Sequence, residues 1–311
     1  MILSLAPLEG ITSYVYRNTH AEYFGGCDKY YTPFISPSDS SKIGRKGFKD
    51  MLPENNTVVK PVVQTLTNNP DSFLKFTEKL IDYGYDEVNL NLGCPSGTVV
   101  NKKRGSGLLR EPWILEKFLD AIFSECKIDI SIKTRIGFDT ADEFDDLIKL
   151  YNKYPIKELI IHPRCREDFY KGEIHYDAFD KAYINSKPPL CYNGNVFSLE
   201  DYKFITERYP TVAHIMLGRG IVANPALARE IKGGKKVSTK EMVEFTHILA
   251  ERYNKILSSD HFTMHKLKEI WLFMMWNFPS EEKILKTVRR TEKLSELLSA
   301  ISLLPEIDSN R

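Results

Sequence analysis

Polar and reactive residues recur along the first two thirds of the chain, each at the end of a short apolar run: Pro7, Thr32-Pro33, Gln64, Asn91 with Cys94, Lys133 with Arg135, His162 with Arg164, Asn193-Gly194-Asn195, and Gly218-Arg219. Cys94 is the most reactive of them. It closes the alternating stretch of NLNLGCPSGTVVNKKRGSGLL, Asn89 to Leu109, directly before proline and a Gly-rich basic loop. A thiol with an ordinary pKa of about 8.5 is mostly protonated at neutral pH and can serve as a general acid. Taken singly, the other groups have plain structural uses: Gln64 could cap a strand, Lys133 could snorkel, His162 could be a satisfied core histidine. As a set they ask for more, because burying an amide, an ammonium and an imidazole at successive strand ends costs free energy unless a ligand or a network pairs them.

The elements that must position these groups are legible as β-branched runs alternating with helical periods, the pattern of βα units and a parallel sheet. Strands are expected at Ile2–Ala6, Asp28–Thr32, Val59–Gln64, Glu87–Asn91, Asp129–Lys133, Lys157–His162, Pro189–Asn193 and Ala213–Leu217. Eight closes a (β/α)8 barrel, whose reacting groups gather at the carboxyl ends of the strands. Helices are expected at Pro70–Tyr83, Pro112–Cys126 and Ser198–Arg208, and Ile35–Asn56 reads as a long excursion. After Lys232-Gly233-Gly234-Lys235 only helical periods remain, at Glu241–Leu257, Phe262–Phe278 and Ser280–Leu303. The expected division is a TIM-barrel domain over residues 1–233 and a smaller all-helical domain over residues 234–311.

Composition narrows the functional classes. The 311 residues are 42% hydrophobic and 27% charged, the balance of an ordered chain, and 43 basic residues nearly cancel 42 acidic ones. An RNA partner would therefore be held by local patches rather than by a global field. The N-terminus lacks a secretory pattern and the most apolar segment, Ile270–Trp276, is too short to span a membrane, which leads to the expectation of a cytoplasmic protein without a membrane partner. No obligate protein partner is evident. Five cysteines, with no CxxC pair, read as reduced thiols. Cys165 and His162 are close, but no second ligand pair stands at zinc-like spacing, so no metal is expected.

The rim after the seventh and eighth strands carries Asn193-Gly194-Asn195 and Gly218-Arg219, where barrels commonly bind phosphate, and the Arg219 fork suits that group. With Gln64, Asn91 and Lys133 facing inward, a flavin mononucleotide (FMN) fits the donor set. Lys133 can stabilise negative charge at the N1/O2 edge of a reduced ring.

At this point the chain resembles the dihydrouridine synthase family of flavoenzymes. The matching stretches, in family order, are Ala6-Pro7-Leu8-Glu9-Gly10-Ile11-Thr12, NLNLGCPS, GSGLL, SIKTRIG, IHPRCREDFYKG, CYNGN and IMLGRG, with HKLKEIWLFMMW in the C-terminal helices. GCPS together with IHPRCREDFYKG is the specific pair. Leu8, Pro163, Cys165 and Asn195 depart from the usual family residues, and Cys165 adds a second thiol near the site. The resemblance implies reduction of selected uridines in tRNA, with NADPH (or NADH) reducing FMN, hydride from flavin N5 reaching C6 of a uracil taken out of its stack, and Cys94 giving a proton to C5. It implies FMN contacts from Pro7, Leu8, Glu9, Gln64, Asn91, Lys133, His162, Asn193, Gly194, Asn195, Gly218 and Arg219. Substrate contacts are expected from Arg135, Arg164, Arg166 and Tyr170 and from the basic loop Lys102-Lys103-Arg104. A flavin barrel acting on a free pyrimidine, a dihydrouridine synthase acting on ribosomal RNA, and an RNA-binding protein with a vestigial barrel are the alternatives.

Overall fold

The computed structural model describes residues 1–37 and 45–307; the part of the expected excursion at 38–44 lies outside the described residues. Eight parallel strands form one sheet in the order β2-β1-β8-β7-β6-β5-β4-β3. They are β1 (Ile2–Leu5), β2 (Lys29–Tyr30), β3 (Val63–Thr65), β4 (Glu87–Leu92), β5 (Asp129–Gly137), β6 (Leu159–Cys165), β7 (Leu190–Tyr192) and β8 (His214–Leu217). The sheet's two ends meet through Tyr31↔Val62 and Ile35↔Thr65 bridges, with Val62 N donating to Tyr30 O at 2.8 Å, so the strands close into a barrel.

The third, fifth and sixth strands differ from the sequence reading for identifiable reasons. The third starts at Val63 rather than Val59 because Pro61 has no N–H to give a ladder. The fifth and sixth run past Lys133 and His162 to Gly137 and Cys165. Their register steps from Arg135↔His162 to Gly137↔Cys165, placing one extra residue on β6 beside Pro163, a bulge that accommodates proline. That bulge keeps both His162 and Arg164 on buried positions at the mouth.

Helices Pro70–Asp82, Pro112–Glu125 and Leu199–Arg208 lie where periodicity put them, and Ser198 makes a full capping box with Asp201. Tyr14–Tyr23, Phe144–Tyr151 and Tyr176–Asn185 are also helical. The first of these shows no clean apolar stripe because Arg17, Asn18, Thr19 and His20 are buried along with Val15 and Tyr16. Arg17 donates to Thr12 O at 2.7 Å, Asp50 O at 2.8 Å and Asn56 Oδ1 at 2.7 Å, which pins the return of the excursion against this helix.

Beyond Ile231 only helices follow among the described residues: Thr239–Leu257, Asp260–Met274, Glu282–Arg290 and Leu294–Ile301. The expected helix over Ser280–Leu303 breaks at Thr291, whose hydroxyl accepts from Lys293 N at 3.2 Å and donates to Glu296 Oε2 at 2.9 Å, a local alternative to helix continuation. These helices share one hydrophobic cluster with the barrel; Phe245 meets Tyr16 and Phe24 at ring separations of 5.7 and 5.0 Å. No helix among the described residues is long and apolar enough to cross a membrane.

Inside the barrel, period two turns Glu87, Asn89 and Asn91 of β4 and Ser131, Lys133 and Arg135 of β5 inward. The amino end is closed by a polar layer in which His214 bridges Glu158 and Ser4, each at 2.7 Å. Ala6, Tyr31, Ile160, Cys191 and Met216 form an apolar plug. The space left for a ligand is therefore the carboxyl mouth.

Candidate active site

One cavity occupies that mouth, and its wall contains Pro7, Leu8, Glu9, Gln64, Asn91, Cys94, Lys133, Arg135, His162, Tyr170, Asn193, Gly194, Asn195, Gly218 and Arg219. All twelve residues expected to face a cofactor, the thiol, and two of the expected substrate contacts thus converge. Ala6, Phe34, Gly93, Val196, Phe197 and Gly220 complete the wall and were not foreseen as site residues; a lone aromatic near a turn carries no signal in sequence. Phe197 also meets Trp276, 5.7 Å between rings, so that half-exposed tryptophan joins the C-terminal helices to the site rather than filling their core.

The thiol is held by its backbone. Asn91 Oδ1 accepts from Gly93 N at 3.0 Å and Cys94 N at 2.9 Å, and Asn91 Nδ2 donates to Gln64 Oε1 at 2.8 Å. The chain continues inward, Gln64 Nε2 to Asn89 Oδ1 at 2.7 Å, Asn89 Nδ2 to Ser131 Oγ at 3.0 Å, and Ser131 Oγ to Glu87 Oε1 at 2.8 Å. Each amide is fixed in one orientation by its neighbour. Cys94 O accepts from Ser106 Oγ at 2.8 Å, and Gly105, at φ +56°, leaves no room for a Cβ, which would lie 2.9 Å from Cys94 O. Burial pushes the thiol above its ordinary pKa, opposed by a backbone hydrogen bond at Ser96 and by Arg135, so the sulfur carries its proton at neutral pH.

Arg135 lines the cavity while its guanidinium is engaged by the backbone. Only 1% exposed, it donates from Nε to Gly93 O at 2.9 Å, from one terminal nitrogen to Cys165 O at 2.6 Å and from the other to Phe169 O at 2.7 Å. The reason is the bulge, which folds the β6 loop over β5; Arg135 clamps that loop to the Cys94 turn. Arg164 is likewise buried and outside the cavity wall, donating to Gly172 O at 2.7 Å and, at 3.0 Å, to His162 Nε2. Since a guanidinium only donates, Nε2 is an acceptor and the neutral ring holds its proton on Nδ1. Burial first, then Arg135, Lys133, Arg164 and Arg219, keep His162 well below the ordinary imidazole pKa. Burial away from water, and then Arg135, lowers Lys133 to about 8.

Arg219 donates to Asn195 Oδ1 at 3.0 Å and Tyr170 O at 3.1 Å, its guanidinium 5.6 Å from the Tyr170 ring, which also stacks on His162 at 6.0 Å. Arg166 lies outside the cavity, paired with Glu167 and spread over Phe138 and Phe169. The loop residues Lys102, Lys103 and Arg104 are outside as well: Lys103 pairs with Glu111 at 2.7 Å, Arg104 donates to Asn68 at 3.3 Å, and Lys102 is exposed. Cys165, the second thiol expected near the site, does not line it.

A family model for dihydrouridine synthase (Dus) matches residues 4–303. The chain belongs to the dihydrouridine synthase family. Among its relatives are tRNA-dihydrouridine synthase B of Pasteurella multocida, 27% identical over 81% of this chain and 74% of that protein, and tRNA-dihydrouridine(16) synthase of Aquipseudomonas alcaligenes, 25% identical over 98% of this chain and all of that protein. A solved structure of 6-hydroxypseudooxynicotine amine oxidase from Pseudomonas geniculata superposes with TM-score 0.52 at 10% identity, covering 74% of this chain and 46% of that one, a likeness of fold. Family membership makes the chain an enzyme of the uridine-reducing class.

Proposed function

We propose that this dihydrouridine synthase binds FMN, takes electrons from NADPH and reduces uridine in tRNA to 5,6-dihydrouridine. The observation that carries the reading is the convergence of Gln64, Asn91, Lys133, His162, Arg219 and the protonated Cys94 on one cavity at the barrel mouth. The donor set fits the cofactor: two amides and an ammonium stand along one wall for the polar edge of an isoalloxazine, while Asn193-Gly194-Asn195 and Gly218-Arg219 stand on the opposite wall for a phosphate. Bound flavin would supply the hydride that adds to uracil C6.

The chain's own groups do the rest. As C6 gains hydride, negative charge develops through C5 and O4, and Cys94 Sγ–H gives its proton to C5, the thiolate recovering a proton from solvent. The network from Asn91 to Glu87 holds the Cys94 turn, and Arg135 fixes that turn against the β6 loop. His162, neutral with its proton on Nδ1, and Lys133 offer positive or donating groups to the charge that forms. Tyr170, half exposed at the mouth, provides a face on which a flipped base can stack.

We assign the barrel to residues 1–233 and RNA binding to residues 234–311 together with Lys102, Lys103 and Arg104, in the cytoplasm. Of the basic residues on the C-terminal helices, Lys266 and Lys268 are tied to Gly10 O and to Thr291 O, whereas Lys283, Lys286, Arg289 and Arg290 stand exposed on Glu282–Arg290 as contacts for phosphates. The test is dihydrouridine mapping of cellular RNA with and without the gene. Loss at defined tRNA positions is expected; loss in ribosomal RNA alone, or rapid reoxidation of reduced flavin by free uracil but not by tRNA, would replace the reading.

A further inference from the structure

The loop that follows β6 brings three potential metal ligands together outside the cavity. Cys165 Sγ, an Asp168 carboxylate oxygen and a His175 ring nitrogen all lie within 4.8 Å of one another. The spacing, Cys-x2-Asp-x6-His, matches no zinc-ribbon pattern, which is why sequence spacing gave no metal. We propose that Cys165, Asp168 and His175 form a binding site for a divalent transition metal of the zinc class, independent of the flavin reading.

Geometry supports it in four ways. Ligand atoms 2.0–2.3 Å from a shared zinc ion stand roughly 3.3–3.8 Å apart, and His175 Nε2 is already 3.0 Å from Asp168 Oδ2, so only small side-chain rotations close the set. The backbone is arranged around the trio: Asp168 Oδ2 accepts from Cys165 N at 2.7 Å, His175 N donates to Pro163 O at 2.9 Å, and Gly172 packs so tightly that a Cβ there would lie 2.7 Å from Asp168 Oδ1. Phe169, next to Asp168, is held at φ +48°, a conformation a bulky residue adopts only when its surroundings impose it. Access is open on one side, because Cys165 is buried while the side chains of Asp168 and His175 are 23% and 37% exposed.

Metal binding would take Cys165 as the thiolate and release the thiol proton to solvent. Three protein ligands, one of them a thiolate, leave a fourth position for water. The same loop supplies the two carbonyls, Cys165 O and Phe169 O, that grip Arg135, and it carries Tyr170 to the cavity mouth. A bound metal would stiffen this segment.

The test uses the full chain, first stripped of metal by chelation and then titrated with Co2+ alone, with Zn2+ added as competitor. One equivalent of cobalt is expected to give a sulfur-to-metal charge-transfer band that zinc removes. Cys165→Ser should abolish the band, and His175→Gln, a half-exposed position that the fold tolerates, should weaken cobalt binding at least about tenfold, no less than loss of an outer-shell partner costs. Cys94→Ala should leave the band intact. Absence of a band in the unaltered chain, its survival in His175→Gln at full affinity, or its loss in Cys94→Ala would overturn the assignment.

Discussion

Replacing Arg135 with lysine keeps the charge and removes the fork. Arg135 holds three carbonyls at 2.9, 2.6 and 2.7 Å, those of Gly93, Cys165 and Phe169. A single ammonium nitrogen can reach one of them, leaving two unpaired. Hydrogen bonds from a charged donor contribute about 1.5–3 kcal/mol each, so Arg135→Lys should cost about 3–6 kcal/mol, a large share of the roughly 5–15 kcal/mol by which domains are stable. The second consequence is catalytic. Gly93 precedes Cys94, and once its carbonyl is released the thiol is no longer fixed over the substrate carbon; a shift of about 1 Å is enough to lower a rate about a hundredfold. Urea unfolding followed by tryptophan fluorescence reads the first effect, and single-turnover reduction of unmodified tRNA by the flavin-reduced enzyme reads the second. Flavin affinity should change little, because Lys133, Gln64 and Arg219 are untouched. A variant that loses less than about 1 kcal/mol and reduces tRNA at the unaltered rate would refute the view that Arg135 positions Cys94.

Gly105→Ala should act on the same turn from the other side: at φ +56° with Cys94 O only 2.9 Å from the added methyl, it should slow single-turnover reduction while flavin, read by its absorbance, stays bound. Arg219→Ala removes the fork from the phosphate rim and should weaken FMN binding by about tenfold or more, as loss of a charged hydrogen bond does, measured by fluorescence quenching of added FMN. Acid should destabilise the fold through its buried imidazoles. Burial holds His20 to about 4 and His162 well below the ordinary value, so the unfolded chain binds protons that the folded chain refuses. The stability from these groups is complete above about pH 6.5 and is lost as pH falls toward 4, by up to about 1.4 kcal/mol per pH unit for each. Urea midpoints across that range should fall less steeply in His20→Gln than in the unaltered protein, and equal slopes would refute this.

The sequence made the inward-facing residues visible because strand ends recur with a polar group just past an apolar run, and a parallel barrel gathers those ends at one mouth. Gln64, Asn91, Lys133, His162 and Arg219 could therefore be placed together before any contact was seen. What they bind to one another could not. The amide chain from Cys94 to Glu87 depends on strand register, Gln64 opposite Asn89 and Asn91 opposite Lys133, which no single segment encodes. Arg135 and Arg164 read as substrate contacts by type and spacing, and the β-bulge at Pro163 that lets them bind backbone carbonyls is not visible in any single segment. The helix Tyr14–Tyr23 was hidden by the polar residues Arg17 to His20 among its buried positions, and Trp276 reads as helix core by spacing although it reaches Phe197 at the barrel rim.

The central claim is that the protonated Cys94 completes uridine reduction in a flavin barrel. Purified protein loaded with FMN, given NADPH and tRNA lacking dihydrouridine, should form dihydrouridine, and Cys94→Ala should bind flavin and tRNA as before yet convert uridine at least about a hundredfold more slowly, the weight of a general acid. Formation of no dihydrouridine by the unaltered protein, or an equal rate in Cys94→Ala, would contradict the account.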